Sequence, residues 1–581
     1  MTEMLGDAMA TAPEEMQDVM DDVGEPPARR QRIGHVRVAA ASYLDAPSFR
    51  TEDSIRESRA THIQYLLDSK SVKDWNEDEA RATGALVLSG RFVDDAVKEK
   101  SRYCAREFAT TKDPTVFAAA SDVDCTSVVD IFAVKKGYPT VCFDAVAAFS
   151  QAEEQELVFI KPPVEYLSQV KRPVLWQCLK VREGRRNGAR SWADHFCSCL
   201  TDPECPGEFK QNPKSPTLYH SRSLDITLDI HVDDGYAGGP ASALKKVMEY
   251  LETKITLKIS PLVFPGMAFN HVGATRTRTT EGMWIQPFEK YTESALKIMD
   301  MENCKPSTSP KLDKQSMEGD EQPYASPETF RSATCTLLYL SKRMPEIQST
   351  MRWLCKRLVN PTVQAGRQLV KLLRYLKGAM GMATFFPEHG VADRIEGYLD
   401  GDWACDDSDR KSVSGGVVMV AGCRLHSHSR TTPTHALSSG ESEIMSVSEM
   451  LKECLLVQFN LEFAGMGKLP IQLLTDATVA RQFVHRKGVG RMKHLEVRYM
   501  WLQHRLSEGA YGIKKIPRTE NVSDLLTHPP SAPELQKFLP LIGVYPMECF
   551  RGAVEVVSTA LTQRPSMGPR VAATVLALMA K

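Results

Sequence analysis

The sequence predicts a protein of mixed α/β (α+β) class built from several domains, and three observations predict it. Short apolar runs alternate with charged helical stretches from about residue 55 to 295. From about 325 to 380 apolar residues recur at three- and four-residue spacing in FRSATCTLLYLSK, PEIQSTMRWLCKRL and AGRQLVKLLRYLKG, so this stretch reads as helical. After about 390 strand-like and helix-like patterns return and end near 530.

The length of 581 residues suffices for two to four domains. A formal net charge of -1 with 25% charged residues is ordinary for a globular protein. It argues against a wholly basic nucleic-acid binder and leaves room for a local basic channel. The 14 cysteines include no C-x-x-C pair, which suits reduced thiols. The N-terminus lacks a secretory signal pattern, and the apolar run Val571 to Ala580 is about half of a bilayer span. The expectation is an intracellular protein, in cytoplasm or nucleus, neither secreted nor in a membrane. Residues 1–54 read as a disordered tail, acidic at first and carrying PPARRQR, a solvated charge run.

The first chemistry-bearing element is PTVCFDAVAAF, an apolar run leading into Asp144. The second is LDITLDIHVDDG, whose period-2 alternation predicts a half-buried strand with Asp233 on its polar face and Asp234 at the following turn. Adjacent carboxylates repel, and a divalent cation would relieve the repulsion. If the two strands are neighbours, Asp144, Asp233 and Asp234 form a trio able to hold two magnesium ions. FVDD at 92–95 lacks the alternation and reads as surface charge.

LWQCLKVREGRRNGARSW is the most basic segment and carries two tryptophans. It reads either as a backbone-contacting surface with stacking rings or as a charged loop with core tryptophans. Pro345 and Pro361 punctuate the helical region at helix starts. EGYLDGDWACDDSDRKSVSGGVVMV then predicts a hairpin with Asp400 on an inward-facing edge. His195, Cys197, Cys199 and Cys205 lack a common zinc spacing, and the His-Ser-His-Ser run at 426–429 reads as a polar strand surface.

Taken together these motifs resemble the reverse transcriptase and ribonuclease H region of copia-type LTR retrotransposon Pol polyproteins. KSRYCAREF resembles the family's fingers motif, with Glu107 in place of a glycine, and FDAVAAF resembles its first catalytic motif. The resemblance makes Asp144, Asp233 and Asp234 the polymerase metal ligands. It makes Phe149 the ring that excludes a nucleotide 2′-OH, and Lys100, Arg102 and Arg190 substrate contacts. The departures are His231 for the usual tyrosine, Arg182-Glu183-Gly184 for Leu-Tyr-Gly, and the inserted Met344.

GYLDGDWACDDSDRKSVSG resembles the family's ribonuclease H opening, which assigns Asp400. SSGESEIMSV, QLLTDATVAR and RTENVSDLLTH resemble its later motifs and assign Glu443, Asp476 and Asp524. RMKHLEVRY resembles a further motif, implying either a catalytic assistant or a structural residue in His494, and phosphate contacts in Arg491 and Lys493.

The resemblance implies a right-hand polymerase palm and fingers (55–295), a helical thumb and connection (296–390), a ribonuclease H-like α/β domain (391–530) and a C-terminal tail (531–581). It implies Mg2+, with Mn2+ as a substitute, bound by Asp144, Asp233, Asp234, Asp400, Glu443, Asp476 and Asp524. The implied partners are an RNA template, a DNA primer, RNA-DNA hybrid and dNTPs, with oligomeric state open. No zinc knuckle, protease or integrase motif is found, so the expectation is a partial polyprotein or a separated gene. A decayed nucleic-acid-binding remnant and a ribonuclease H acting alone are the rival readings.

Overall fold

The computed structural model describes residues 51–547, apart from 96–98, 109–112, 313–320, 407 and 491. Most of the N-terminal tail, residues 548–581 and Arg491 therefore lie outside the described residues. The described chain divides into two compact units, one formed by 51–121 and 141–261, the other by 122–140 and 262–547.

In the first unit a five-stranded sheet runs in the order Val72–Asn76, Val174–Cys178, Val158–Ile160, Leu86–Asp95, Lys100–Arg106. Ile63 and Leu66 of helix Glu52–Asp68 share its core with Tyr103, Ile160 and Trp176. A six-stranded sheet runs in the order Leu257–Ile259, Thr140–Ala145, Asp234–Gly238, Ile226–His231, Leu218–Ser221, Lys210–Gln211.

Strand Ile226–His231 corrects the half-buried reading, because both of its faces are buried. Its polar residues find partners inside: Ser121 Oγ donates to Asp229 Oδ2 at 2.5 Å, and His231 Nδ1 lies 3.2 Å from the Ser121 carbonyl. Alternation here separates two interior environments, not core from water.

Trp176 and Trp192 are both core residues, so the stacking-surface reading of their segment falls away. Two of the segment's basic residues, Arg182 and Arg185, are also internal. Arg182 donates to the Tyr103 carbonyl at 2.9 Å and to Ser150 Oγ at 3.2 Å. Arg185 meets three carboxylates, Glu107 at 2.8 Å, Glu154 at 3.0 Å and Glu156 at 2.7 Å. Glu107, a departure from the family pattern, thus pairs with Arg185, the residue after the Arg-Glu-Gly run, and its N–H donates to the Gly184 carbonyl at 3.4 Å.

The second unit contains helix Val123–Lys135, which is buried along most of its length. Helices Pro327–Ser341, Pro345–Cys355 and Val363–Gly378 pack through Leu337, Ile347, Met351, Leu369 and Leu372. Met344 caps the second of these as a buried apolar residue before Pro345. A five-stranded antiparallel sheet follows the order Ala268–His271, Ala274–Arg278, Gly282–Pro287, Met382–Pro387, Val544–Pro546. Its last strand and helix Ala532–Phe538 come from the segment beyond 530.

The remaining sheet has five strands: Ile395–Asp402, Val413–Val420, Cys423–Thr431, Ile471–Thr475 and Gly512–Lys515. Their spatial order is third, second, first, fourth, fifth. The first three are antiparallel, and the fourth and fifth join in parallel. Helix Ser439–Phe463 makes the crossover between the third and fourth strands. This is the ribonuclease H arrangement of strands. The His-Ser-His-Ser run lies on the third strand but is not surface: His426, Ser427 and His428 are buried. Among the described residues no helix is long and apolar enough to cross a membrane.

Candidate catalytic acids

In the first unit the hairpin joining Ile226–His231 to Asp234–Gly238 pairs Asp234 with His231, so Val232 and Asp233 form its turn. Asp234 therefore opens the second strand and does not lie beyond it. Val232 takes φ of +57°, an uncommon conformation for a β-branched side chain. Two contacts hold the turn: Trp192 Nε1 donates to the Val232 carbonyl at 2.5 Å, and Ala145 N–H donates to the Asp233 carbonyl at 2.8 Å. The second bond ties the hairpin to the residue after Asp144, on the adjacent strand Thr140–Ala145. Asp144 is half-buried, whereas Asp233 and Asp234 are exposed.

Gly235 follows the acidic pair because a Cβ there would lie 2.0 Å from Phe143 Cζ. The ring of Phe143 thus fills the space that a side chain at 235 would need. Phe149 is half-buried in the turn Ala148–Gln151, after Ala147 at φ of +51°. Lys100 and Arg102 project from the exposed face of strand Lys100–Arg106. Arg190 pairs with Asp194 at 2.8 Å on helix Gly188–Leu200. In FVDD, Asp94 is engaged by Arg59 at 2.7 Å.

In the second unit Asp400 lies near the end of the first strand of the ribonuclease H-like sheet, and Asp476 directly follows the fourth. These strands are parallel neighbours in a register that pairs Tyr398 with Leu474, so both acids emerge at the same sheet end. Glu443 comes from the first turns of helix Ser439–Phe463, and Asp524 opens the short helix Asp524–Thr527. That short helix approaches closely because Gly415, opposite Asp400, lacks a Cβ; one there would lie 2.8 Å from Thr527 Cγ2.

Three of the four carboxyls are displaced from their ordinary range. Burial, then Asp400, Asp476 and Asp524, push the Glu443 carboxyl up to about 9. Burial and then Asp400 raise Asp524 to about 6, and burial raises Asp400 in the same direction. Neutral neighbours orient the set: Thr527 Oγ1 donates to Asp400 Oδ2 at 2.9 Å, and Asn521 Nδ2 to Asp476 Oδ1 at 3.2 Å. Arg518 Nε lies 3.5 Å from Asp524.

Glu443 Oε2 is buried without a hydrogen-bond partner. A buried carboxylate oxygen left so is costly, and an all-oxygen set of acids is the donor chemistry of Mg2+. The residues fit such an ion.

Sequence reasoning missed Asn521 and Thr527 as orienting residues, although both stand inside the Asp524 motif. His494 is placed differently from the acids, with Nε2 3.1 Å from Glu441 Oε2. Glu441 in turn accepts from Leu437 N–H at 2.7 Å while Ser438 caps the helix. Lys493 is exposed.

The first unit thus carries an acidic strand-turn-strand hairpin and the second a ribonuclease H-like sheet ringed by four acids. The chain is similar to retrovirus-related Pol polyproteins of transposons. It is 25% identical over 398 residues to such a polyprotein from transposon TNT 1-94 of Nicotiana tabacum, covering 66% of this chain and 29% of the relative. It is 24% identical over 426 residues to that of transposon RE2 of Arabidopsis thaliana, covering 71% and 28%. The chain thus spans under a third of the length of these relatives. An uncharacterized mitochondrial protein of Arabidopsis thaliana is 30% identical over 220 residues, covering 38% of this chain and 89% of the relative. No family model matches.

Among solved structures, the foamy viral protease-reverse transcriptase in complex with double-stranded DNA aligns at a TM-score of 0.47 and 10% identity, covering 89% of this chain and 81% of that one. Ribonuclease H1 of Halobacterium salinarum aligns at a TM-score of 0.18 and 18% identity, covering 23% and 93%.

Proposed function

We propose that the chain is an RNA-directed DNA polymerase with ribonuclease H activity on RNA-DNA hybrids. The observation that carries this reading is the gathering of Asp400, Asp476 and Asp524 around Glu443, whose buried Oε2 has no hydrogen-bond partner. These four residues would hold magnesium in the nuclease site, and Asp144, Asp233 and Asp234 would hold it in the polymerase site. The bound ions supply activation of the attacking oxygen and charge stabilisation at the leaving oxygen.

The chain's own residues supply position. Thr527 and Asn521 fix the directions of Asp400 and Asp476. Trp192 and Ala145 hold the Asp233-Asp234 turn against the Asp144 strand. Lys100 and Arg102 stand on an exposed strand face where a nucleotide triphosphate would find two cations. Phe149 would face the sugar and exclude a 2′-OH. Template, primer, hybrid and dNTPs are the substrates this reading requires.

The test is primer extension and hybrid cleavage with magnesium by the purified chain, beside Asp233→Asn and Asp476→Asn. The first variant is expected to lose extension and keep cleavage, and the second to do the reverse. Cleavage without extension in the wild type would establish a ribonuclease acting alone. Magnesium-dependent activity in neither assay would leave a binding remnant.

A further inference from the structure

We infer that His426, His428 and Glu453 form a transition-metal site in the second unit, separate from the four acids, with Asp124 orienting the His426 ring. The residues come from three elements: helix Val123–Lys135, strand Cys423–Thr431 and helix Ser439–Phe463. Asp124, His426 and Glu453 each place a ligand atom within 4.8 Å of the others. The two imidazoles are 3% and 5% exposed, so water does not solvate them freely.

The ring orientation assigns the roles. His426 Nδ1 lies 2.5 Å from Asp124 Oδ2, which fixes the proton on that nitrogen and turns Nε2 the other way. Nε2 then faces His428 Nδ1 at 3.2 Å and Glu453 Oε2 at 3.7 Å. Zinc bonds to nitrogen and oxygen of about 2.0–2.2 Å at tetrahedral angles put neighbouring ligand atoms about 3.3–3.5 Å apart. The two observed separations bracket that value. A carboxylate binding the far nitrogen of a ligating imidazole is the usual outer support of such a site.

Two imidazoles and a carboxylate select a borderline divalent ion such as Zn2+ over Mg2+. Arg430 occupies the other Glu453 oxygen at 2.5 Å, which aims Oε2 at the site. The competing occupant is a proton on His426, favoured by the same two carboxylates; an ion binding at Nε2 would release it to solvent.

The test uses the full chain, stripped with chelator, reloaded with Zn2+ and dialysed against excess Mg2+, with retained zinc counted by atomic absorption. The wild type and Asp476→Asn are expected to keep one equivalent. His426→Ala and Glu453→Gln should keep none, and Asp124→Asn should bind about 10–100-fold more weakly. Zinc absent from the wild type would mean a shared proton only, and a full equivalent in His426→Ala would place the ion elsewhere; either overturns the site. The Co2+ form of the wild type decides independently of any folding defect in the variants. Strong four-coordinate visible bands support the site, and the weak spectrum of an all-oxygen octahedral ion overturns it.

Discussion

Trp192 donates its indole N–H to the carbonyl of Val232, the residue that turns the chain into Asp233 and Asp234. A buried ring on helix Gly188–Leu200 thereby fixes a turn whose backbone is in the left-handed region. Trp192→Phe keeps the ring and removes the donor. The carbonyl left behind costs about 1–3 kcal/mol, read as a lower urea midpoint. Primer extension should fall while hybrid cleavage is unchanged. Equal loss of both activities would refute a local role.

Arg185 is nearly inaccessible and meets Glu154, whose side chain is fully buried. Arg185→Leu should cost about 3–5 kcal/mol, because the buried Glu154 carboxylate loses its counter-charge. Glu107→Gly, which restores the family residue, leaves Arg185 paired with Glu154 and Glu156. It should cost only about 1 kcal/mol. Denaturant unfolding of both variants checks the ranking. Equal losses would show that Glu107 is the anchor.

The candidate acids stand out in the sequence because each sits near the end of a patterned element. Asp144 is next to last in an apolar strand, Asp400 lies on a hairpin strand, and Asp476 directly follows the strand Ile471–Thr475. What was not legible depends on partners far away in sequence. The alternation of Ile226–His231 looks the same whether Asp229 faces water or Ser121, which is 108 residues away. Basic composition marked the Arg182–Arg190 segment as a surface. Glu107, 78 residues from Arg185, turns part of it inward. The His426-His428 pair read as polar surface for the same reason: its carboxylate partners lie on two other elements.

Gly235 and Phe143 form a second checkable pair beside the acidic hairpin. Gly235→Ala forces a methyl group into the Phe143 ring. Overpacking of this kind costs about 1–3 kcal/mol. Phe143→Leu removes the obstructing ring, so the double variant should recover part of that loss, a coupling visible in a double-mutant cycle. Additive losses would mean that the strain is relieved elsewhere.

Glu443 gives the clearest pH signature. Its carboxyl is raised from 4.5 to about 9 in the folded chain, so in that window the folded state holds a proton that the unfolded state has lost. Stability without divalent ions must therefore be fully retained below about 4.5 and fall as pH rises towards 9. Asp524, raised to about 6, adds a smaller loss of the same sign over the lower part of the range. Glu443→Gln cannot ionise and is relieved of the repulsion, so in chelator it should melt above wild type by a margin that widens with pH. Magnesium should raise the wild-type melting temperature more than that of the variant, because binding to the folded state alone stabilises it. Melting curves in chelator that run parallel across the pH range would mean that the four carboxylates do not share one electrostatic site.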